Sequence, residues 1–411
     1  ARRLFDLARA FEARADEIAK WEAMDSGKPL ARARGEVIST ARYFEFYAGA
    51  VDKFYGDSIP LGRDYIDFTL REPMGVTAHI VPWNFPMNMI GRSVAPALAM
   101  GNTAVLKPAE QTPVTATMLA ELMHEVGFPA GVYNVVHGLG EEAGAPLSQH
   151  PDIDCIKFTG SVEVGRLIMR AAAVHIKPVV LELGGKSPHI VFGDTNLDIA
   201  VVEVAKGIFG NTGQVCSAGS RLIVEAKVRD QMVEKLAAHT NKMTVGPALD
   251  NPQMGPLVSR EQYDRVCSYI GIGQGEGARV AAGGGRPMGL EKGFFIAPTI
   301  FDGVQPNMRI AQEEIFGPVL TVLTFQDEEE ALQISNDIPY GLVAGIMTND
   351  INKAMRLARD IKAGQIFINE YFAGGEETPF GGYKQSGFGR EKGIDALYNY
   401  TQVKNVAIRI R

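Results

Sequence analysis

Three groups in this chain are of types that could do covalent chemistry: a thiol among small and polar residues, a carboxylate closing an apolar strand, and an amide held between prolines. Cys216 lies in GNTGQVCSAGSR (residues 210–221), where Thr212, Gln214, Ser217 and Ser220 surround it and Gly210, Gly213 and Gly219 permit close approach of backbone or ligand. A free cysteine otherwise fills a core as a small hydrophobe, so this window leaves nucleophile and core filler both open. Glu182 ends the apolar run of LELGGKS. A buried carboxylate is costly unless paired, which makes Glu182 either half of a structural ion pair or a base whose surroundings raise its pKa. Asn84 in PWNFP is held rigid by prolines and aromatics, as suits a preorganised donor or simply a tight turn. In KFTGSVEVG, a strand over Ile156–Thr159 runs into Gly160 and Ser161 with Gly165 one turn on, so backbone N–H groups at a helix start could face a phosphate. That pattern is not G-x-G-x-x-G and is common in α/β proteins.

The elements that must carry these groups follow from hydrophobic periodicity. Leu4, Leu7, Phe11, Ala15 and Ile18 mark one face of an opening amphipathic helix, Gly27 and Pro29 stop it, and a second helical stretch runs from about Ala31 to Tyr55. DYIDFTLREP alternates as a bridging or edge strand. From Gly75 to Gly185, short apolar strands alternate with helical patterns, the signature of a mostly parallel sheet covered by helices. A second α/β series follows, with SPHIVFG, RLIVEAKV, GFFIAPTIF, PVLTVLTF, AGIMT and QIFIN as strands, and VAAGGGRPMGLEKGFF reads as a glycine-rich hairpin or loop without a function. The tail NYTQVKNVAIRI alternates like an edge strand, a natural surface for pairing with another subunit.

Composition narrows the class. With 411 residues, 46% of them hydrophobic, the chain can bury a large core over two or three domains. A net charge of −7 without a basic run gives no footprint for nucleic acid or anionic lipid. No apolar run reaches the ~20 residues of a membrane span. Three cysteines in unrelated settings fit a reducing compartment, hence an expected cytoplasmic location. The seven histidines show no ligand spacing and no pairing with a cysteine, so no metal site is implied.

PWNFP, LKPAEQTP, FTGS, LELGGKSP, GQVCSAGSR, EEIFGPV and PFGGYKQSGFGRE occur in the order found in the aldehyde dehydrogenase superfamily, and the resemblance runs from the first helix to residue 411. The chain most resembles the hydrolytic branch that includes betaine aldehyde and semialdehyde dehydrogenases. The resemblance implies a Rossmann-like NAD-binding domain over 1–61 and 73–183, a second α/β catalytic domain over 184–396, and bridging or oligomerisation strands at 62–72 and 397–411. It also implies a homodimer or homotetramer, and further residues before the first helix.

By the same resemblance, Cys216 stands at the nucleophile, Asn84 at the oxyanion donor, Glu182 at the base that activates water, and Glu391 at a second carboxylate assisting proton movement. Lys107 and Glu110 match residues that meet the adenosine ribose, Gly160 and Ser161 lie at the pyrophosphate, Glu314 and Phe316 flank the nicotinamide, and Trp83 belongs to the same wall. NAD is expected over NADP because Glu110 would repel a 2′-phosphate, with Lys107 leaving dual use open. Phe85, Met89, Arg92 and Phe380 fall along the implied substrate tunnel. Relatives taking neutral aldehydes often carry tryptophan where Arg92 stands and succinic semialdehyde dehydrogenases carry arginine, so Arg92 either reads an anionic or polar end of the aldehyde or turns outward to an acidic neighbour. Gly210 does not match the second arginine of those enzymes, which implies a wider pocket compatible with aromatic aldehydes. Two other readings stand beside this one. CoA-acylating relatives lack the carboxylate at Glu182, and a catalytically silent scaffold or binding protein would have lost the thiol.

Overall fold

The computed structural model describes residues 1–411. Two sheets and a two-stranded ribbon organise it. The first sheet is built from Cys155–Thr159, Val76–Ile80, Thr103–Lys107, Tyr133–Val135 and Val179–Glu182, all parallel, with Gly387–Phe388 added antiparallel at the edge beside Val179–Glu182. The second has seven strands, in spatial order Gln365–Ile368, Val343–Met347, Pro188–Val191, Arg221–Glu225, Val319–Phe325, Thr299–Asp302 and Arg279–Ala282. Only the last is antiparallel to its neighbour. The expected parallel α/β architecture is present, with helices covering strands that are buried along most of their length.

The opening helix is two helices, Arg2–Ala13 and Ala15–Ser26, broken at Arg14. The break preserves the stripe, since Leu4, Leu7, Phe11, Ala15 and Ile18 are all buried in one core with the helices Leu30–Ala50, Pro86–Ala99 and Val114–Glu125. The second helical stretch ends at Ala50 and passes into a tight turn over Val51–Lys53, earlier than its apolar pattern implies. Of GFFIAPTIF only the last three residues are strand, at the start of Thr299–Asp302.

The chain's last third returns to the first half. Gly387 pairs with Glu182, Ala396 and Leu397 complete the first core, and the Tyr47 hydroxyl donates to the Gly393 carbonyl at 3.1 Å. The ribbon pairs Tyr65–Pro73 antiparallel with Thr401–Arg409 over all nine registers. No helix is long and apolar enough to cross a membrane.

Candidate active site

Cys216 follows a strained loop. Helix Leu197–Phe209 gives way at Gly210, and Asn211 (φ 51°) and Thr212 (φ 57°) then take left-handed backbone that costs a non-glycine residue of order 1 kcal/mol or more. The polar residues around the thiol hold this loop rather than the sulfur. Asn211 Nδ2 donates to the Asn84 carbonyl at 3.0 Å, Thr212 Oγ1 to the Gly255 carbonyl at 3.0 Å, and Gln214 Oε1 accepts from Val258 N–H at 3.0 Å. Cys216 N–H donates to no protein acceptor.

The thiol is half-buried and faces a cavity. Burial pushes Cys216 up to about 12; the Arg92 charge works against this, and Glu314, Glu182 and Glu391 add to it. Asn84 lies in the bend before helix Pro86–Ala99 and is 3% exposed, with Nδ2 donating to the Gln214 carbonyl at 3.0 Å. An amide nitrogen has two N–H donors, so one remains available beside the loop that carries the thiol.

Glu182 ends a buried strand, and neither of its carboxylate oxygens has a hydrogen-bond partner. It is therefore not half of a structural ion pair. Burial raises it from 4.5 to about 8; Lys157 is the leading charge that opposes the rise, followed by Arg92 and Arg390, while Glu391 adds to it. The glycines that follow are needed for close approach: an added Cβ would come within 2.5 Å of the Cys216 carbonyl oxygen at Gly185 and 2.3 Å of Glu314 Oε2 at Gly184. Glu182 and Cys216 are thus held on backbone segments in contact.

Glu391 is clasped by two cations, Lys157 at 2.8 Å and Arg92 in a shorter contact. Burial would raise it, yet Arg92 and Lys157 together hold it below the ordinary carboxylate range. Lys157 belongs to none of the functional positions the motifs imply. A lysine in the middle of the apolar strand CIKFT was the available signal, because a charge there must find a partner.

Arg92 follows neither sequence-level alternative fully. It is buried and turned inward, it lines the cavity that contains Cys216, and its acidic neighbour is Glu391 inside the site. Its guanidinium carbon stands 4.5 Å from the Phe380 ring centroid, and Nη1 lies 3.6 Å from Met89 Sδ. Desolvation would lower Arg92, but the Glu391 charge raises it above its ordinary value. Phe85, Met89 and Phe380 line the same cavity of about 350 Å³, together with Arg32 and Lys392. The wider pocket expected at Gly210 is corrected by Arg32, whose Nη1 would lie 2.9 Å from a Cβ at that position.

A second, larger cleft of about 860 Å³ opens at the carboxyl ends of the first sheet and is lined by Trp83, Lys107, Glu110, Gly160 and Ser161. Lys107 Nζ meets Glu110 Oε2 at 2.9 Å. Burial pushes Glu110 up, but the Lys107 hydrogen bond and charge leave it below its ordinary value. Gly160 is required by close packing, since a Cβ would fall 2.5 Å from Phe158 Cζ. Ser161 Oγ accepts from Val164 N–H at 3.2 Å and caps helix Val162–Ala173. Glu314 and Phe316 lie outside this cleft. Phe316 (φ 60°) meets Trp83 edge-on at 5.3 Å, and Glu314, raised by burial to about 7, accepts from Gly185 N–H at 3.0 Å. The cleft fits a dinucleotide: its volume suits one, a carboxylate stands at one end for ribose hydroxyls, and a capped helix start lies along it.

His79 and His189 are wholly buried and pushed down to about 3 by desolvation, so both are neutral core residues. No group of histidine, cysteine or acidic residues could hold a metal ion.

Residues 1–406 match the aldehyde dehydrogenase family. The chain is 47% identical over 406 residues to a hydroxyisobutyraldehyde dehydrogenase of Mycolicibacterium austroafricanum, covering 98% of this chain and 80% of that protein. It is 45% identical over 396 residues to human retinal dehydrogenase 2, covering 96% and 76%. The solved structure of a Bacillus cereus aldehyde dehydrogenase in complex with NAD⁺ superposes with a TM-score of 0.98 at 46% identity, over 100% of this chain and 83% of that one. The chain belongs to the aldehyde dehydrogenase family.

Proposed function

We propose that this NAD-dependent aldehyde dehydrogenase forms its covalent intermediate on Cys216 and clears it by hydrolysis through Glu182. The carrying observation is the Glu182 carboxylate, buried with both oxygens free, on a backbone segment that touches that of Cys216. Sγ must first pass its proton to water entering the cavity, a loss favoured by the Arg92 charge. The thiolate then adds to the aldehyde carbon, and the carbonyl π electrons move to oxygen. The free N–H of Asn84 and the N–H of Cys216 stabilise that alkoxide. The chemistry NAD supplies when bound is acceptance of the hydride from that carbon. The thioester left on Cys216 is opened by water, whose proton passes to Glu182 as the C–S bond breaks. Lys107, Glu110, Gly160, Ser161 and Trp83 would hold the dinucleotide, with Glu314 and Phe316 at its inner end. Glu391, fixed between Lys157 and Arg92, provides a charged anchor near the base.

Glu182 favours hydrolysis over acyl transfer to CoA, because transfer to a thiol does not require a base that activates water. Exposed Ile66, Leu70, Val403 and Ile408 on the ribbon support assembly with further copies. The cations of the Cys216 cavity favour a polar or anionic aldehyde.

The test is rapid mixing. Cys216→Ala is expected to form no NADH, whereas Glu182→Gln is expected to give one burst of NADH per active site followed by slow turnover. Turnover in Cys216→Ala, or loss of the burst in folded Glu182→Gln, would overturn the scheme.

A further inference from the structure

Resting on the reading that Cys216 attacks an aldehyde held in the cavity beside it, we propose that Arg32 selects the substrate, and that the substrate is an aldehyde bearing a carboxylate at its far end. The observation is a tertiary exchange between two residues distant in sequence. Gly210, six residues before the nucleophile, leaves a gap, and helix Leu30–Ala50 fills it with the Arg32 guanidinium. A Cβ at Gly210 would lie 2.9 Å from Nη1 and 3.8 Å from Cζ. The Gly210 backbone (φ −55°, ψ 135°) suits any residue. The space a side chain at 210 would take is therefore occupied by the arginine tip, which a Cβ there would push aside.

Arg32 pairs loosely with Glu36 and with no other acid. Its nearest carboxylate oxygen, Glu36 Oε1, is 3.5 Å from Nε, and Nε makes no hydrogen bond although it is buried. Glu36 is itself engaged by Lys28, which also meets Glu22 at 3.3 Å. The Arg32 cation lies 5.6 Å from the Phe85 ring centroid, over a residue that lines the same cavity. Among the other charges of that wall, Arg92 is bound to Glu391. Lys392 makes no ion pair, and burial with the Arg92 charge pushes it down to about 8. The one further carboxylate, Glu376, accepts from Ser39 Oγ at 2.5 Å.

The cavity thus offers Arg32 and Lys392 against Glu376, an excess of cations with donors unspent. A planar guanidinium matches a carboxylate in two parallel hydrogen bonds, a geometry that an ammonium cannot copy. A neutral aldehyde would leave those donors, on a side chain 36% exposed, to water alone.

The experiment compares the specificity constants kcat/KM of short ω-oxo acids with those of the neutral aldehydes in which an isopropyl group replaces the carboxylate. The parent is expected to favour the oxo acids. Arg32→Met should lower the ratio of the two constants by about 10- to 150-fold, chiefly through KM, and Arg32→Lys should restore only part. Gly210→Ala removes no charge but displaces the guanidinium, so it should lower the same ratio. A parent without preference for the oxo acids would overturn the proposal, as would an equal loss for both aldehyde classes in Arg32→Met. If the Glu182→Gln burst stands while these ratios do not move, the assignment of Arg32 fails and the reaction scheme survives; turnover in Cys216→Ala would remove the scheme itself.

Discussion

Lys157 Nζ lies 2.8 Å from Glu391 Oε1, and both side chains are almost wholly withdrawn from water. The lysine belongs to the strand Cys155–Thr159, whose Thr159 is paired with Glu182. One ammonium therefore neutralises the second carboxylate of the site and is the leading charge that draws the first toward ionisation.

Lys157→Met is expected to move the pH dependence of turnover. Glu182 can accept a proton only when ionised, and burial places that ionisation at about 8, so deacylation should quicken as pH rises through this range. Without the opposing charge of Lys157 the limb should shift upward by roughly 1–3 pH units, and Lys157→Arg should return most of the shift. A profile of steady-state kcat against pH reads this, while the NADH burst should keep its amplitude at high pH. An unchanged profile in a folded variant would assign Lys157 a purely structural part.

The same buried carboxyl bears on stability. Its folded value of about 8 stands above the ordinary 4.5, so between these values the folded state holds a proton that the unfolded chain has released. Stability from this group is full below the unfolded value and falls as pH rises toward the folded one, by a few kcal/mol, about 1.36 for each unit. Glu182→Gln should remove that slope, and its Tm should exceed that of the parent by more at pH 8 than at pH 5.

Glu110→Gln should shift cofactor choice. The carboxylate is held ionised by Lys107 at 2.9 Å, and in the role proposed for it beside the adenosine ribose it would repel a 2′-phosphate. Its neutralisation should move the kcat/KM ratio toward NADP by at least about fivefold, the effect of one charge at close range in a wet cleft. Steady-state constants with both cofactors measure it.

Asn84→Ala should slow the burst itself, by about 10²–10³ in rate, since it removes a donor to the alkoxide. The Asn84 carbonyl still accepts from Asn211, so the loop keeps its tie to this segment. A slowed steady state with an unslowed burst would place the loss in deacylation instead.

Much of the frame is legible in the sequence because its signals are local. Strand and helix alternate with clear periods, and the seven motifs name the groups that meet in space. The residues that escaped notice owe their places to contacts between distant segments. Arg32 and Gly210 are far apart in the chain, and nothing in ARARGE distinguishes an arginine that enters a cavity from one in solvent. Lys157 was detectable as a charge in an apolar strand, but its partner Glu391 arrives from the far end of the chain. The polar residues beside Cys216 follow the same rule: Thr212 and Gln214 tie the loop to the backbone of Gly255 and Val258, partners that sequence spacing does not reveal. The break at Arg14 lay hidden because the apolar stripe continues across it.

The return of residues 387–409 to the first half has a consequence for how a newly made chain acquires its shape. The second sheet draws its strands from one continuous span, Pro188–Ile368, and can settle as soon as that span leaves the ribosome. The first sheet begins earlier in synthesis yet must wait longer, because its edge at Gly387–Phe388, its core at Ala396 and Leu397, and its ribbon at Thr401–Arg409 are made after the second sheet's strands. The half that is translated first is thus finished second, against the usual N-terminal-first order. Glu182 remains without the cations' shared anchor Glu391 until that much later segment has emerged.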